Sequence, residues 1–201
     1  MPKIVDPEER RREVVEAVFR VVARGGIQQA TLQHVAAEAG LAIGSVRHYF
    51  DSHSELLAAA AREMVRRVAA RVQEKLEQPP AADPHRLVEE IAGQFLPLDP
   101  ARADETAVWL EFAVAARTNR ALRPTAAELH EGLRDVAARL LRRLGVTDPV
   151  AAEHLAAVID GLALDAALQP DRLRPDTVRA VLRRHLAQLP AVQQDGRTDT
   201  P

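Results

Sequence analysis

Apolar residues return every three or four positions along almost the whole chain, and nowhere do they alternate in steps of two for long enough to build a strand. Val14, Val15, Val18, Phe19 and Val22 make one stripe over residues 7–24, and Leu57, Met64, Val68, Val72 and Leu76 make another over 53–76. The second run predicts a helix of about 35 Å. Further periodic runs lie at 84–96, 100–118, 121–144, 149–168 and 175–189, and two short ones at 31–38 and 42–49. The punctuation agrees with the periods. Asp6-Pro7, Asp83-Pro84, Asp99-Pro100 and Asp148-Pro149 each precede a run, pairing a capping carboxylate with a proline that has no N–H to leave unsatisfied. Thr31 opens another run, and Ser52 with Glu55 forms a capping box. Stop signals stand at Gly25-Gly26, Gly40, Pro79-Pro80, Pro97, Gly145 and Pro170. An all-α fold follows.

The two short runs are separated by Ala39-Gly40-Leu41, the length and glycine content of the turn in a helix-turn-helix. Small Ala36 falls where the two helices would cross, with Leu41 anchoring the turn and Val46 pinning the second helix to the first. An ordinary αα-corner would share the spacing.

Composition narrows the function. The net charge is −2 over 201 residues, and residues 1–54 carry seven basic and seven acidic side chains, so any nucleic-acid site is local rather than a basic cloud. Aromatic residues make up only 3%, too few for a single-strand stacking platform. With no cysteine, thiolate chemistry and disulfides are excluded. No window approaches the apolar length of a membrane span, and the polar start MPKIVDPEERR is unlike a secretory leader, so a cytoplasmic protein without a membrane partner is expected. Phosphate loops, H-E-x-x-H pairs, dinucleotide fingerprints and nucleophile elbows are missing, which argues against an enzyme and against a cofactor. A helical module that binds a partner protein is the remaining rival.

The stretch TLQHVAAEAGLAIGSVRHYFDSHSELL, following a first helix that ends in Gly-Gly, resembles the DNA-binding region of the TetR family of transcriptional regulators. The R-H-Y-F variant, with WLEFAVAARTNRALR and DGLALDAAL further on, is similar to the subgroup with a BetI-like ligand-binding half. The resemblance implies a three-helix helix-turn-helix domain over 1–52 and a six-helix effector-binding and dimerisation domain over 53–189, while residues 190–201 read as a disordered tail. It implies a homodimer on double-stranded DNA, most members being repressors released by a small apolar effector, with an activator that a ligand does not release as the alternative. The DNA face would comprise Thr31, Gln33, Ala42, Ile43, Gly44, Ser45, Arg47, His48, Tyr49 and His53. Two positions depart from the family: Ala42 stands where a capping serine is common, and His53 where lysine is frequent.

In the second half the aromatics Phe95, Trp109 and Phe112 sit among Met64, Ile91, Ala113 and Leu129, with His154 as a polar candidate; core packing explains each singly, and an effector pocket explains the cluster. Glu111, Arg117, Glu128 and His130 are further polar candidates. For the dimer interface the stripes Leu155, Ile159 and Leu162, and Val178, Val181, Leu182 and His185, are expected to pair about a two-fold axis, with Gly161 and neighbouring alanines letting backbones approach.

Arg47 is the sole basic residue between Thr31 and Phe50 apart from histidines. If it reads a guanine, Arg47→Ala costs roughly 1–3 kcal/mol and relaxes preference at one base pair per half-site. If it neutralises a phosphate, the loss is uniform across sequences and the salt slope falls by roughly 1 per chain. Binding curves on matched and mismatched duplexes at two salt concentrations separate these outcomes, and unchanged affinity on both removes Arg47 from the interface.

Overall fold

The computed structural model describes residues 6–77 and 83–189, and among these there are nine α-helices and no strand. They are α1 (Pro7–Gly25), α2 (Leu32–Glu38), α3 (Ile43–Tyr49), α4 (His53–Glu77), α5 (Pro84–Ala92), α6 (Pro100–Thr118), α7 (Arg123–Arg143), α8 (Pro149–Leu168) and α9 (Pro175–Ala187). The expected tail and the Pro79-Pro80 stop lie outside the described residues.

Six of the nine helix starts among the described residues, those of α1, α2, α4, α5, α6 and α8, are fixed by capping side chains legible in the sequence. The carboxylates of Asp6, Asp83, Asp99 and Asp148 accept backbone N–H bonds at 2.9–3.0 Å from the first turns of α1, α5, α6 and α8. Thr31 Oγ1 accepts from His34 N–H at 3.2 Å, and Ser52 Oγ from Glu55 N–H at 3.1 Å. Glu55 returns the bond one residue further out than the standard box, its carboxylate accepting from Asp51 N–H at 2.8 Å. α2 and α7 end alike. Gly40 (φ 68°) and Gly145 (φ 74°) occupy the left-handed position, and the next residues, Leu41 and Val146, each donate at 2.9 Å to Ala36 and Leu141.

Two expected helices are shorter than their apolar periods. The run 84–96 stays α-helical to Ala92 and closes in a 3₁₀ turn, Gly93–Phe95, because Pro97 forces Leu96 into extended backbone (φ −116°, ψ 147°). The run 121–144 begins with a 3₁₀ turn, Arg120–Leu122, capped by Asn119, whose side chain accepts from Ala121 N–H at 3.0 Å; α7 starts only at Arg123.

Two hydrophobic clusters stack along the molecule. One joins α1, α2 and α3 to the first half of α4 and to Val108, Phe112 and Ala116 of α6, so the core runs straight across the sequence boundary drawn at residue 52. The other gathers α5, α7, α8 and α9. This second cluster corrects the expected dimer stripe. Leu155, Ile159, Leu162, Val178 and Leu182 point into the chain's own core, none more than 8% exposed, because α8 must cover α7 and α9 must cover α5 and α8. His185 is half-buried, and of that set only Val181 is exposed, at 41%. The outward face of α8 carries Val150, His154, Ala157, Gly161, Leu164 and Leu168, in alternating steps of four and three.

Ala42, at the start of α3, makes no side-chain cap. Ala42→Ser therefore stabilises α3 by about 0.5–2 kcal/mol. The gain appears as a higher urea midpoint at unchanged slope, and an unmoved midpoint means the orphan N–H groups are already satisfied.

Candidate nucleic-acid interface and effector cavity

α2 and α3 cross at Ala36, which is 3% exposed, over Val35 and Val46, both fully buried. That crossing turns the opposite side of α3 outward. Thr31, Gln33, Ala42, Ile43, Gly44, Ser45, Arg47, His48 and His53 are all exposed, forming one surface of two short helices and the start of α4. Tyr49 is half-buried, its ring packed on the first cluster and edge-on to His48 at 5.2 Å. Packing and an outward hydroxyl are compatible there.

Sequence reasoning missed the groups that hold this surface in place. Arg11 of α1 donates to the Tyr49 carbonyl at 3.1 Å, and its guanidinium lies 4.5 Å from the Phe50 ring centroid. It thereby satisfies an orphan carbonyl at the end of α3 with a favourable charge. Glu38 of α2 is bound by Arg20 at 2.6 Å and by Arg24, both on α1, and the Arg20 hydrogen bond holds its carboxyl below the usual range. The signal for these pairs is tertiary. Nothing in the spacing of residues 11 and 49 or 20 and 38 announces it.

A cavity of about 770 Å³ lies between α4, α5, α6, α7 and α8. Met64, Ile91, Phe95, Trp109, Phe112, Ala113 and Leu129 all line it. His154 does not; it sits on the outward face of α8, its ring edge-on to His185 at 4.8 Å. Burial, and then the neighbouring His154, push the His185 imidazole below its ordinary range. Ile159, expected at the dimer interface, lines the cavity instead. The exposed lining residues, among them Val65, Ala69, Gln73, Gly132 and Arg139, belong to α4 and α7, so the mouth opens between those helices.

Inside, charge is mostly tied up. Glu105 is 7% exposed and receives Arg71 through two bonds, 3.0 and 2.6 Å, with the same guanidinium reaching the Gln94 carbonyl at 3.3 Å. Arg102 donates to Asp99 at 2.8 Å and to the Gly93 carbonyl at 3.0 Å. Asp160 lies 3.7 Å from Arg134, and burial raises its carboxyl above the ordinary value. Phe112 and Met64 belong both to the cavity wall and to the cluster under α1–α3. Glu111, one residue before Phe112, faces away from the cavity lining and accepts from Ile27 N–H at 3.1 Å, directly after α1. Asn119 at the end of α6 donates to Ser54 Oγ at 3.0 Å, at the start of α4.

Residues 14–60 match the family model of bacterial regulatory proteins of the tetR family, and residues 84–191 match the C-terminal model of BetI-type transcriptional repressors. The chain is 32% identical over 191 residues to the HTH-type transcriptional regulator PksA of Bacillus subtilis, covering 92% of each. A transcriptional regulator from Rhodococcus sp. Rha1 superposes with a TM-score of 0.78 at 32% identity, over 91% of this chain and 95% of that one. The multidrug-binding protein EbrR, solved with ethidium bound, superposes with a TM-score of 0.63 at 32% identity, over 88% of this chain and 98% of its own.

A Cβ added at Gly44 would meet nothing within 4 Å, so the chain's own packing does not demand glycine in the outward face of α3. Gly44→Ala is expected to stabilise the fold by up to about 1 kcal/mol. If the space is reserved for a nucleic-acid backbone, the same variant loses about tenfold in duplex affinity. Paired urea and binding curves check this, and unchanged affinity places Gly44 outside the interface.

Proposed function

The chain belongs to the TetR family of bacterial transcriptional regulators, which are not enzymes, and we propose that it is a ligand-responsive repressor that binds a pseudo-palindromic duplex as a homodimer and leaves it when a small, largely apolar molecule fills the cavity. The observation that carries this reading is the position of Phe112, whose ring walls the cavity while packing in the cluster that supports α1, α2 and α3. A ligand that displaces this side chain disturbs the packing under the recognition helix. Glu111 would carry the same motion to the backbone after α1. EbrR, with ethidium in its structure, and the BetI-type repressor match of the C-terminal half support the effector and the repressor parts of the proposal. Among the described residues no helix is long and apolar enough to cross a membrane.

The homodimer is supported by the outward face of α8 and α9. Val150 (69%), Leu164 (37%), Leu168 (58%) and Val181 (41%) are exposed in the single chain, and the four-three spacing of the α8 set is that of a helix–helix seam. Gly161 lies at its centre, and a Cβ there would meet nothing within 4 Å of the same chain.

The decisive experiment selects binding sites from random duplexes with the full chain and with Gly161→Leu. Wild type enriches a symmetric motif with half-sites about one helical turn apart or slightly more, and its affinity falls with salt. Gly161→Leu keeps its helical content but sediments as a monomer and enriches no symmetric motif. A stable wild-type monomer, or enrichment of single-stranded sequence, overturns the proposal.

A further inference from the structure

The cavity has a polarity that the proposed effector must match. α4 and α6 run antiparallel along it, so that Met64 and Phe112 mark the end beside the DNA-binding helices, while Leu76 and the C-terminal end of α7 mark the far end. From Met64 to Leu76 the α4 wall rises about 18 Å. The near end and the middle are mainly apolar and aromatic, with Glu128, His130 and the Arg71-paired Glu105 among the polar exceptions. The far end carries Arg139, Arg142 and Arg143, all lining the cavity and all exposed. Arg102 and Arg134, the neighbouring guanidiniums, are engaged by Asp99 and by Glu153 and Asp160, whereas these three have no carboxylate partner among the described residues. Arg139 and Arg143 are four residues apart on one helix, so their side chains share a face.

The acidic groups of the lining do not offset this end. Glu105 is consumed by Arg71. Asp160 has Arg134 beside it, and its burial disfavours the charged form. Glu128 is exposed and sits about 16 Å from Arg139 along α7, toward the other end of the cavity. Arg142 and Arg143 also stand in the last turn of α7, where cations complement the helix carbonyls, but that role does not require them to border a cavity.

Resting on the repressor reading above, we propose that the effector is an amphipathic anion: an extended apolar tail lying along Trp109 toward Phe112, and a carboxylate or phosphate head held by Arg139 and Arg143 at the far end. Guanidiniums suit both heads, since each presents paired oxygens to a planar fork of N–H donors. Seating the tail against Phe112 would place the ligand's apolar end on the packing that supports the DNA-binding helices.

The test uses probes of one tail and four heads: dodecanoate, dodecyl phosphate, dodecanol and dodecyltrimethylammonium, each below its micellar concentration, titrated into the full-length protein. The single tryptophan, Trp109, reports occupancy without DNA present. At least one of the two anions is expected to bind about tenfold more tightly than the alcohol, and the tighter of the two identifies the head. In Arg139→Gln/Arg143→Gln that advantage disappears while the alcohol binds as before. A cation that binds as well as either anion, or a double variant that keeps the anion preference, overturns the proposal and leaves the effector reading standing. If no probe perturbs Trp109 and none releases DNA, the cavity is not an effector site and both readings fail. The head-group series in the wild type decides the matter even if the double variant does not fold.

Discussion

Phe112 is the side chain on which the two ends of the molecule depend. It is 2% exposed, it closes one end of the cavity, and it packs in the cluster that contains α1 and the undersides of α2 and α3. Well-packed interiors have few voids and transmit displacement, so a ring in that position cannot move without the neighbouring helices answering. The other links between the halves are placed to reinforce it. Arg67 of α4 pairs with Glu16 of α1 and lies 4.4 Å from the Phe19 ring centroid, and Asn119 fastens the end of α6 to the start of α4. Two stacked clusters that share half-buried Trp109, with few, directional polar fasteners between them, would let a local event in the cavity reach a surface far from it.

The parts of this architecture that are local in sequence could be read from it. A capping carboxylate, a proline in the first turn and a glycine after the last are decided by the backbone within a few residues, and Asp83, Asp99, Gly40 and Gly145 all do what their neighbours require. The clustering of the aromatics was legible for a related reason: Phe95, Trp109 and Phe112 are large and rare in this chain, and Trp109 and Phe112 stand three residues apart on α6.

The inward face of α8 was not legible. That helix is apolar on nearly all sides, with Leu155, Ile159 and Leu162 buried and Val150, Leu164 and Leu168 exposed, so periodicity alone offers two stripes and no means of choosing the inward one. His154 went astray with it, since it follows the outer stripe. Equally hidden were Arg11 on the Tyr49 carbonyl and Glu111 on Ile27, contacts 38 and 84 residues apart in sequence, which exist only once the helices are packed.

The salt bridges of α1 bear on how a protein with the proposed function would find its site. Of the six arginines in the first 54 residues, Arg10 is tied to Glu13 and both Arg20 and Arg24 to Glu38, Arg11 is spent on Tyr49 and Phe50, and Arg12 donates to the Glu8 carbonyl at 3.3 Å, which leaves Arg47 without such a partner among the described residues. Sequence-indifferent attraction to duplex DNA scales with the number of phosphates neutralised and counterions set free. With so few cations to spend, a protein that binds duplex DNA as proposed would have a weak hold on arbitrary sequence and little ability to slide along it. Its search would then proceed chiefly through three-dimensional encounters, and the fraction of time a site is occupied would follow the number of copies in the cell more closely than for a strongly basic regulator.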